Sequence, residues 1–133
     1  MRRDVYSGYS KLLGEEHLST LQAANNYAAS LILHKRLEEA KALFRKILPV
    51  ARRVLGEGDD LGLALWSNYG RALYQDTDAT LDDLREAVST LEESTRIARR
   101  VLGGTHPEAV QIENDLRAAR AALRARETPP SGT

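Results

Sequence analysis

Apolar residues recur at helical spacing in two consecutive segments near the start of the chain. The first segment carries them at Leu21, Ala24, Ala28, Leu31 and Ile32. The second carries them at Leu37, Ala40, Phe44, Ile47, Ala51 and Val54. Lys35 and Arg36 lie between the two segments. The pattern predicts two amphipathic helices joined by a short turn.

Two residues shape the prediction for the second helix. Pro49 lies inside it, and a proline removes one backbone hydrogen bond, so we expect either a bend or a split into two helices. Gly56 follows Leu55 at the end of the apolar pattern. Because glycine readily adopts a left-handed conformation, we expect Gly56 to form the C-terminal cap.

A short Leu-Gly motif occurs three times. Its glycines are Gly14, Gly56 and Gly103, spaced 42 and 47 residues apart, and His17 and His106 occupy the same place after the first and third. Matched residues continue between the motifs. Repetition at this period indicates stacked helical units, so we interpret the histidines as residues of the junctions between units.

The second unit contains five extra residues, Asp76 to Thr80. Both flanks stay in register, which is typical of a loop between two elements. We therefore predict helices from about Asp60 to Gln75 and from about Leu81 to Leu102. Thr80 is expected to cap the second of these, with acidic residues at its positive end.

The two ends of the chain are incomplete units. Val5 and Tyr9 align with the last turns of a second helix, and a single helix is predicted from Pro107 to about Arg126. We predict one domain over residues 1–126 and a disordered tail at 127–133. Within the domain, we assign 2–13 to the end of a truncated repeat, 18–56 to the first repeat, 60–103 to the second and 107–126 to a capping helix.

Several residues of these units resemble the tetratricopeptide repeat pattern. They are Trp66, Tyr69, Gly70, Leu73 and Ala87 in the second unit, and Ala40 and Phe44 in the first. The Leu-Gly-x-x-His link and the pair Asn25-Asn26 are similar to the kinesin light chain variety, with a repeat of about 42 residues. The resemblance covers roughly residues 5–125.

This resemblance implies an all-α fold, a right-handed α-solenoid of antiparallel helix pairs. In that family the first helices line a concave groove that binds extended peptides or partner helices. The resemblance therefore implies a non-catalytic protein-interaction module with a protein or peptide ligand.

Polar residues beside the apolar stripe of the first helices are the predicted groove residues. An amide offers both a donor and an acceptor, so Asn26 and Asn68 suit contact with a peptide backbone, while Gln22, Arg71 and Asp115 would add selectivity. The alternative is that these side chains bond neighbouring helices or water. The predicted peptide-binding residues are Gln22, Asn25, Asn26, Ala64, Ser67, Asn68, Arg71, Gln111, Asn114 and Asp115, with Ala29 and Ala118 beside them.

Other site chemistry has little support in the sequence. The chain has no cysteine, which excludes thiolate sites, and none of its three histidines forms a paired metal motif. The acidic run from Asp76 to Asp83 begins like a calcium loop but has Leu81 and Ala87 where glycine and glutamate belong. We predict no catalytic residues, no metal site and no cofactor, so an enzyme is the least favoured reading.

Charge and hydropathy restrict the classes of partner that the sequence favours. Lysine plus arginine and aspartate plus glutamate both number 19, which gives no general attraction for nucleic acid or anionic membranes. The start has no apolar leader, and no apolar run approaches the ~20 residues of a membrane span. We expect a cytoplasmic protein. A structural role stays open, in which ends near Val5, Tyr6 and Tyr9 stack on another copy or on further repeats.

Overall fold

The computed structural model describes residues 2–127, which form six α-helices and no strand. The prediction of an all-α helical repeat is confirmed. Glu127 is the last residue of the sixth helix, and the rest of the predicted tail lies outside the described residues. The helices are α1 (Arg2–Leu13), α2 (Leu18–Leu33), α3 (Leu37–Val54), α4 (Asp60–Tyr74), α5 (Leu81–Leu102) and α6 (Pro107–Glu127).

One repeat position starts α2, α4 and α6. His17, Asp59 and His106 precede these helices, and the side chain of each accepts a hydrogen bond from the backbone N–H two residues further on, at 3.0, 2.9 and 3.1 Å. Each bond satisfies a donor that the first turn of a helix leaves without a partner. The two histidines are therefore capping residues at the junctions between units.

Thr80 caps α5 through a reciprocal pair of hydrogen bonds. Its Oγ1 accepts from the backbone N–H of Asp83 at 3.0 Å, and the Asp83 carboxylate accepts from the backbone N–H of Thr80 at 3.4 Å. The arrangement is a capping box. The predicted cap at Thr80 and the loop before it are both confirmed.

The prediction for Gly56 is wrong. Leu55 is the C-cap of α3 and has an extended backbone, so the chain leaves the helix without reversing at Gly56. The left-handed residue of this linker is Gly58, with φ of +83°. In the other two linkers the motif glycines Gly14 and Gly103 do have positive φ. In the linker between α3 and α4, the positive φ therefore lies two residues further along the chain than predicted.

Pro49 does not split the second helix of the first unit. α3 runs from Leu37 to Val54 without interruption, with Pro49 in its interior. The turn before α3 contains Lys35 at φ of +61°, in the left-handed region. The predicted turn at Lys35 and Arg36 is therefore confirmed.

The helices form two layers. Each helix packs on the next along the chain, and α2 packs on α4 as α4 packs on α6. We call α2, α4 and α6 the inner layer and α1, α3 and α5 the outer layer. The core lies between the layers; its largest fully buried apolar side chains are Phe44, Leu21, Ile47, Leu65, Leu73, Leu91 and Ile112.

Candidate functional site

The amide side chains of this chain all belong to the inner layer. The sequence has three glutamines and four asparagines, and none lies on α1, α3 or α5. Gln75 is the C-cap of α4, and the other six lie within α2, α4 and α6. The inner layer therefore concentrates the groups that both donate and accept hydrogen bonds.

A hydrogen-bonded row starts between α2 and α4. The side-chain amide of Asn68 donates from Nδ2 to Oδ1 of Asn25 at 2.9 Å. Arg71, one turn further along α4, donates from Nη1 to Oδ1 of Asn68 at 3.3 Å. These three residues join the first two inner helices through side chains that are partly buried.

The row continues to α6 through Asp115. Its Oδ2 accepts from Nε of Arg71 at 3.0 Å and from Oγ of Ser67 at 3.4 Å, and its Oδ1 accepts from the hydroxyl of Tyr74 at 2.9 Å. The Asp115 side chain is only 6% exposed, while that of Arg71 is 29% exposed. A nearly buried carboxylate with a charged partner and two further donors is well satisfied.

The position of Tyr74 beside Asp115 raises the pKa of its hydroxyl. Burial, followed by the negative charge of Asp115 and the hydrogen bond to it, raises the pKa of Tyr74 to about 12. The hydroxyl therefore stays protonated and able to donate at neutral pH. The row is fixed at this end by a donor that does not ionise under ordinary conditions.

The contacts between inner helices follow the repeat register. Asn25 and Ser67 occupy equivalent positions, as do Asn68 and Asp115, so the bond across α2 and α4 has a counterpart across α4 and α6. Asn26 occupies the same position as Asn68 and Asp115 but has no preceding inner helix beside it. Within residues 2–127 its side chain makes no hydrogen bond, and it is exposed.

The predicted groove residues thus fall into groups that differ in exposure. Ser67 and Asp115 are buried in internal bonds. Asn25, Ala64, Asn68 and Arg71 are half-buried. The internal-bonding alternative accounts for the contacts seen at Asn25, Ser67, Asn68 and Asp115, while contact with a peptide stays a prediction. The exposed members are Gln22, Asn26, Ala29, Gln111, Asn114 and Ala118.

Residues 20–60 match the family model described as Tetratricopeptide repeat. The match spans nearly all of α2, the whole of α3 and the cap of α4. It supports assignment to the tetratricopeptide repeat family. A family of this kind suggests a protein–protein interaction module. The likeness to the kinesin light chain variety, with its period of about 42 residues, stays a prediction.

No curated protein sequence matches the chain. Within residues 2–127, no helix is both long and apolar enough to cross a bilayer.

A buried lysine was missed by the sequence reasoning. Lys41 of α3, within the matched tetratricopeptide repeat, has a side chain that is 3% exposed. Its Nζ donates to Glu38 at 2.9 Å, to Asp76 at 3.3 Å and to Asp83 at 3.5 Å. The equivalent position in the second unit holds apolar Val88, which was the available signal that Lys41 points inward.

The acidic residues around the loop before α5 are ion-paired with Lys41. Burial alone would lower the pKa of this lysine, but its bonds to Glu38 and Asp76, together with the charge of Asp83, raise it overall. The ammonium therefore stays charged and neutralises the carboxylates that resembled part of a calcium loop. Within the described residues, no group of three or more histidine, aspartate or glutamate side chains is placed to hold a metal ion.

Trp66 of the second unit is half-buried rather than enclosed. The Arg52 guanidinium lies over its ring, 4.8 Å from the centroid, and Tyr69 meets it edge-on at 6.3 Å. Cation–π contact of this kind is typical for arginine on tryptophan. Trp66 joins α3 to α4 at one wall of an outer cleft of about 530 Å³.

Proposed function

We propose that this chain is a non-catalytic protein-interaction module that binds a peptide or partner helix in the groove of its inner layer. The observation that carries the proposal is the hydrogen-bonded row from Asn25 through Asn68 and Arg71 to Asp115. It fixes three helices side by side, and exposed amides lie beside it on the same helices.

The exposed amides suit recognition of a peptide backbone. Gln22 on α2 and Gln111 and Asn114 on α6 are exposed, and each offers a donor and an acceptor to the alternating groups of an extended chain. Because the hydrogen-bonded row holds the three inner helices together, the helices that carry these amides need little reordering on binding, which favours affinity.

Charge in the groove is nearly balanced. Arg71 is paired with Asp115, so its positive charge is largely compensated inside the protein. Its partly exposed guanidinium still has donors that a ligand carbonyl or carboxylate can reach. We infer that the groove binds mainly the backbone of its ligand and prefers a ligand with a hydrogen-bond acceptor near Arg71.

The proposal excludes a catalytic role for the row. Asp115 accepts three hydrogen bonds, from Ser67, Arg71 and Tyr74, so its carboxylate oxygens are occupied by contacts within the protein. A general base needs an accessible lone pair near the substrate. The side chain of Asp115 is too enclosed to contact a substrate.

A random-peptide display selection on the purified protein tests the proposal. We expect a consensus peptide whose binding weakens about thirtyfold in Gln111→Ala/Asn114→Ala, because two net hydrogen bonds of about 1 kcal/mol each are lost. The control is Ser89→Ala/Arg96→Ala, two exposed polar residues of α5, of which Arg96 pairs only with Glu93 of the same helix. Folded protein that selects no peptide, or equal losses in both variants, would contradict the groove.

The structural alternative, a scaffold piece that stacks through its ends, is favoured by one observation. Val5, Leu12 and Tyr9 on α1 are 51%, 83% and 39% exposed. Sedimentation velocity over a wide concentration range tests it, because stacking would raise the mass with concentration.

A further inference from the structure

An open cleft of about 470 Å³ lies between α1 and α2. We call it the N-terminal cleft. It shares Gln22 and Asn26 with the predicted groove residues of α2, but no residue of α4 or α6 lines it, so variants of α6 separate the two sites. Its walls include Arg2, Val5 and Tyr9 of α1 and Leu18, Gln22 and Asn26 of α2.

The outer helices differ in the number of inner helices beside them. α3 packs on both α2 and α4, and α5 packs on both α4 and α6, whereas α1 packs on α2 alone. Exposure follows the same difference. Val5 is 51% and Tyr9 is 39% exposed, but their repeat equivalents on α3, Ile47 and Ala51, are each 2% exposed. The N-terminal cleft is therefore the place of an inner helix.

Within the described residues, Asn26 lacks the side-chain hydrogen bond that its repeat equivalents make to the preceding inner helix. Its equivalents Asn68 and Asp115 each bond to a polar side chain on the preceding inner helix, Asn25 and Ser67. Asn26 lines the N-terminal cleft, is exposed, and makes no side-chain hydrogen bond within residues 2–127. A helix seated in the cleft would bring the missing partner.

We propose that the N-terminal cleft binds an amphipathic helix with an acidic flank from a partner protein, seated as the first helix of a repeat whose second helix is α1. Two features specify this helix. Its apolar stripe follows the spacing that α2 itself uses at Leu21, Ala24, Ala28 and Leu31, and a small polar residue follows Ala24's equivalent to meet Asn26.

The charge of the cleft specifies the acidic flank. Arg2 is the one charged residue among the described residues that line the cleft; α1 also carries Arg3, Lys11 and the single acid Asp4, and α2 has no charged residue. None of these four side chains forms an ion pair within the described part of the chain. A helix antiparallel to α1 places its C-terminal half beside Arg2, where acidic side chains and the negative helix end are both favoured.

A second copy fits this cleft poorly through either end. At the positions of Ala28 and Leu31, α6 has Arg117 and Arg120, so its free face lacks the required apolar stripe. Arg120 is also paired with Glu92 at 2.9 Å. Two copies meeting through α1 would bring together two helices that each carry a net charge of two positive units, which repel.

The probe for this proposal is a synthetic 16-residue helix based on residues 18–33. It keeps the apolar stripe and Asn25 of α2 and has glutamates at the exposed positions of its last two turns. Fluorescence anisotropy with the intact protein measures its binding. We expect the probe to bind, and Val5→Ser/Tyr9→Ser to weaken it at least about tenfold, since two apolar contacts are lost.

The control variant is Leu33→Ser/Val101→Ser, which changes exposed apolar residues outside the cleft and should alter binding less than about twofold. A probe with lysines for the glutamates should bind at least about tenfold more weakly. Asn26→Ala should weaken the binding of the probe that has asparagine at the position of Asn25. It should leave unchanged the binding of a second probe that has alanine at that position. The comparison of the two probes distinguishes a specific contact of Asn26 from non-specific binding.

Three results would overturn the proposal. The probe fails to bind at millimolar concentration, or it binds the Val5→Ser/Tyr9→Ser variant as tightly as the unaltered protein. The third result is that the unaltered protein dimerises at micromolar concentration while the Val5→Ser/Tyr9→Ser variant stays monomeric, which would mean that a second copy occupies the cleft. The Gln111→Ala/Asn114→Ala variant should bind the helical probe normally, which separates this test from that of the groove.

Discussion

Asn68 on α4 donates its side-chain amide to Asn25 on α2 at 2.9 Å. The same register relationship places Asp115 on α6 beside Ser67 on α4. One polar contact therefore recurs between successive inner helices, and it orders the face that we propose as the binding groove. The recurrence makes the row a property of the repeat rather than of one helix pair.

Loss of Asp115 should destabilise the fold. We expect Asp115→Ala to lower the free energy of unfolding by about 2–4 kcal/mol, because Arg71, Ser67 and Tyr74 all lose their acceptor. Urea denaturation followed by circular dichroism measures the change. Asn114→Ala, at the exposed neighbouring position, should stay within about 0.5 kcal/mol. Equal effects of the two substitutions would show that the row adds nothing to stability.

Lys41 should matter more than an exposed lysine of the same helix. We expect Lys41→Met to cost about 2–3 kcal/mol, because Asp76 would stay enclosed without its cation and Asp83 would keep only Arg45, at 3.8 Å. Lys46→Met, which breaks an exposed pair with Glu15, should cost less than about 1 kcal/mol. Chemical denaturation compares them, and a harmless Lys41→Met would show that the buried cluster can be dispensed with.

Gly70 and Gly62 offer a matched pair on α4. A Cβ at Gly70 would lie 2.7 Å from Cγ of Leu91, a side chain with no exposed surface, whereas at Gly62 the nearest atom is 3.8 Å away. Gly70→Ala should therefore destabilise by about 1–2 kcal/mol despite the better helix propensity of alanine. Gly62→Ala should be neutral or stabilise by up to about 1 kcal/mol. A stabilising Gly70→Ala would mean that α4 and α5 can move apart freely.

Tyr74 gives the stability a specific alkaline dependence. Its pKa rises from 10.0 to about 12 on folding, so the unfolded chain loses this proton first as the pH increases. The contribution is complete below pH 10 and falls away between pH 10 and about 12, by about 2–3 kcal/mol. Tyr74→Phe cannot ionise, so its stability should fall less over that interval. Identical pH profiles for the two proteins would contradict the burial of this hydroxyl against Asp115.

Local signals predicted the helices well. Thr80, its acidic neighbours and the five-residue loop all act within one turn of the chain, so their pattern identifies the start of α5 without knowledge of the fold. Pro107 marks the start of α6 in the same way. The prediction for Gly56 failed because the choice between Gly56 and Gly58 depends on how α3 and α4 meet.

Contacts between helices were harder to predict. The sequence identifies Asn25 and Asn68 as inner-layer residues, but their bond depends on the lateral offset of α2 and α4, which periodicity does not contain. The burial of Lys41 depends on a loop 35 residues away along the chain that brings Asp76 to it. Both depend on tertiary packing, in which side chains far apart in sequence satisfy one another.

The proposed groove is tested most directly by a ¹H–¹⁵N NMR titration with the selected peptide. All seven side-chain amides belong to the inner layer or its cap, and those of Gln111 and Asn114 lie outside the N-terminal cleft, so their NH₂ signals report on the groove. We predict that the signals of Gln111 and Asn114 shift with saturation, while backbone signals on the exposed faces of α3 and α5 stay in place. Shifts confined to the outer layer, with all the side-chain amide signals unmoved, would contradict binding in the groove.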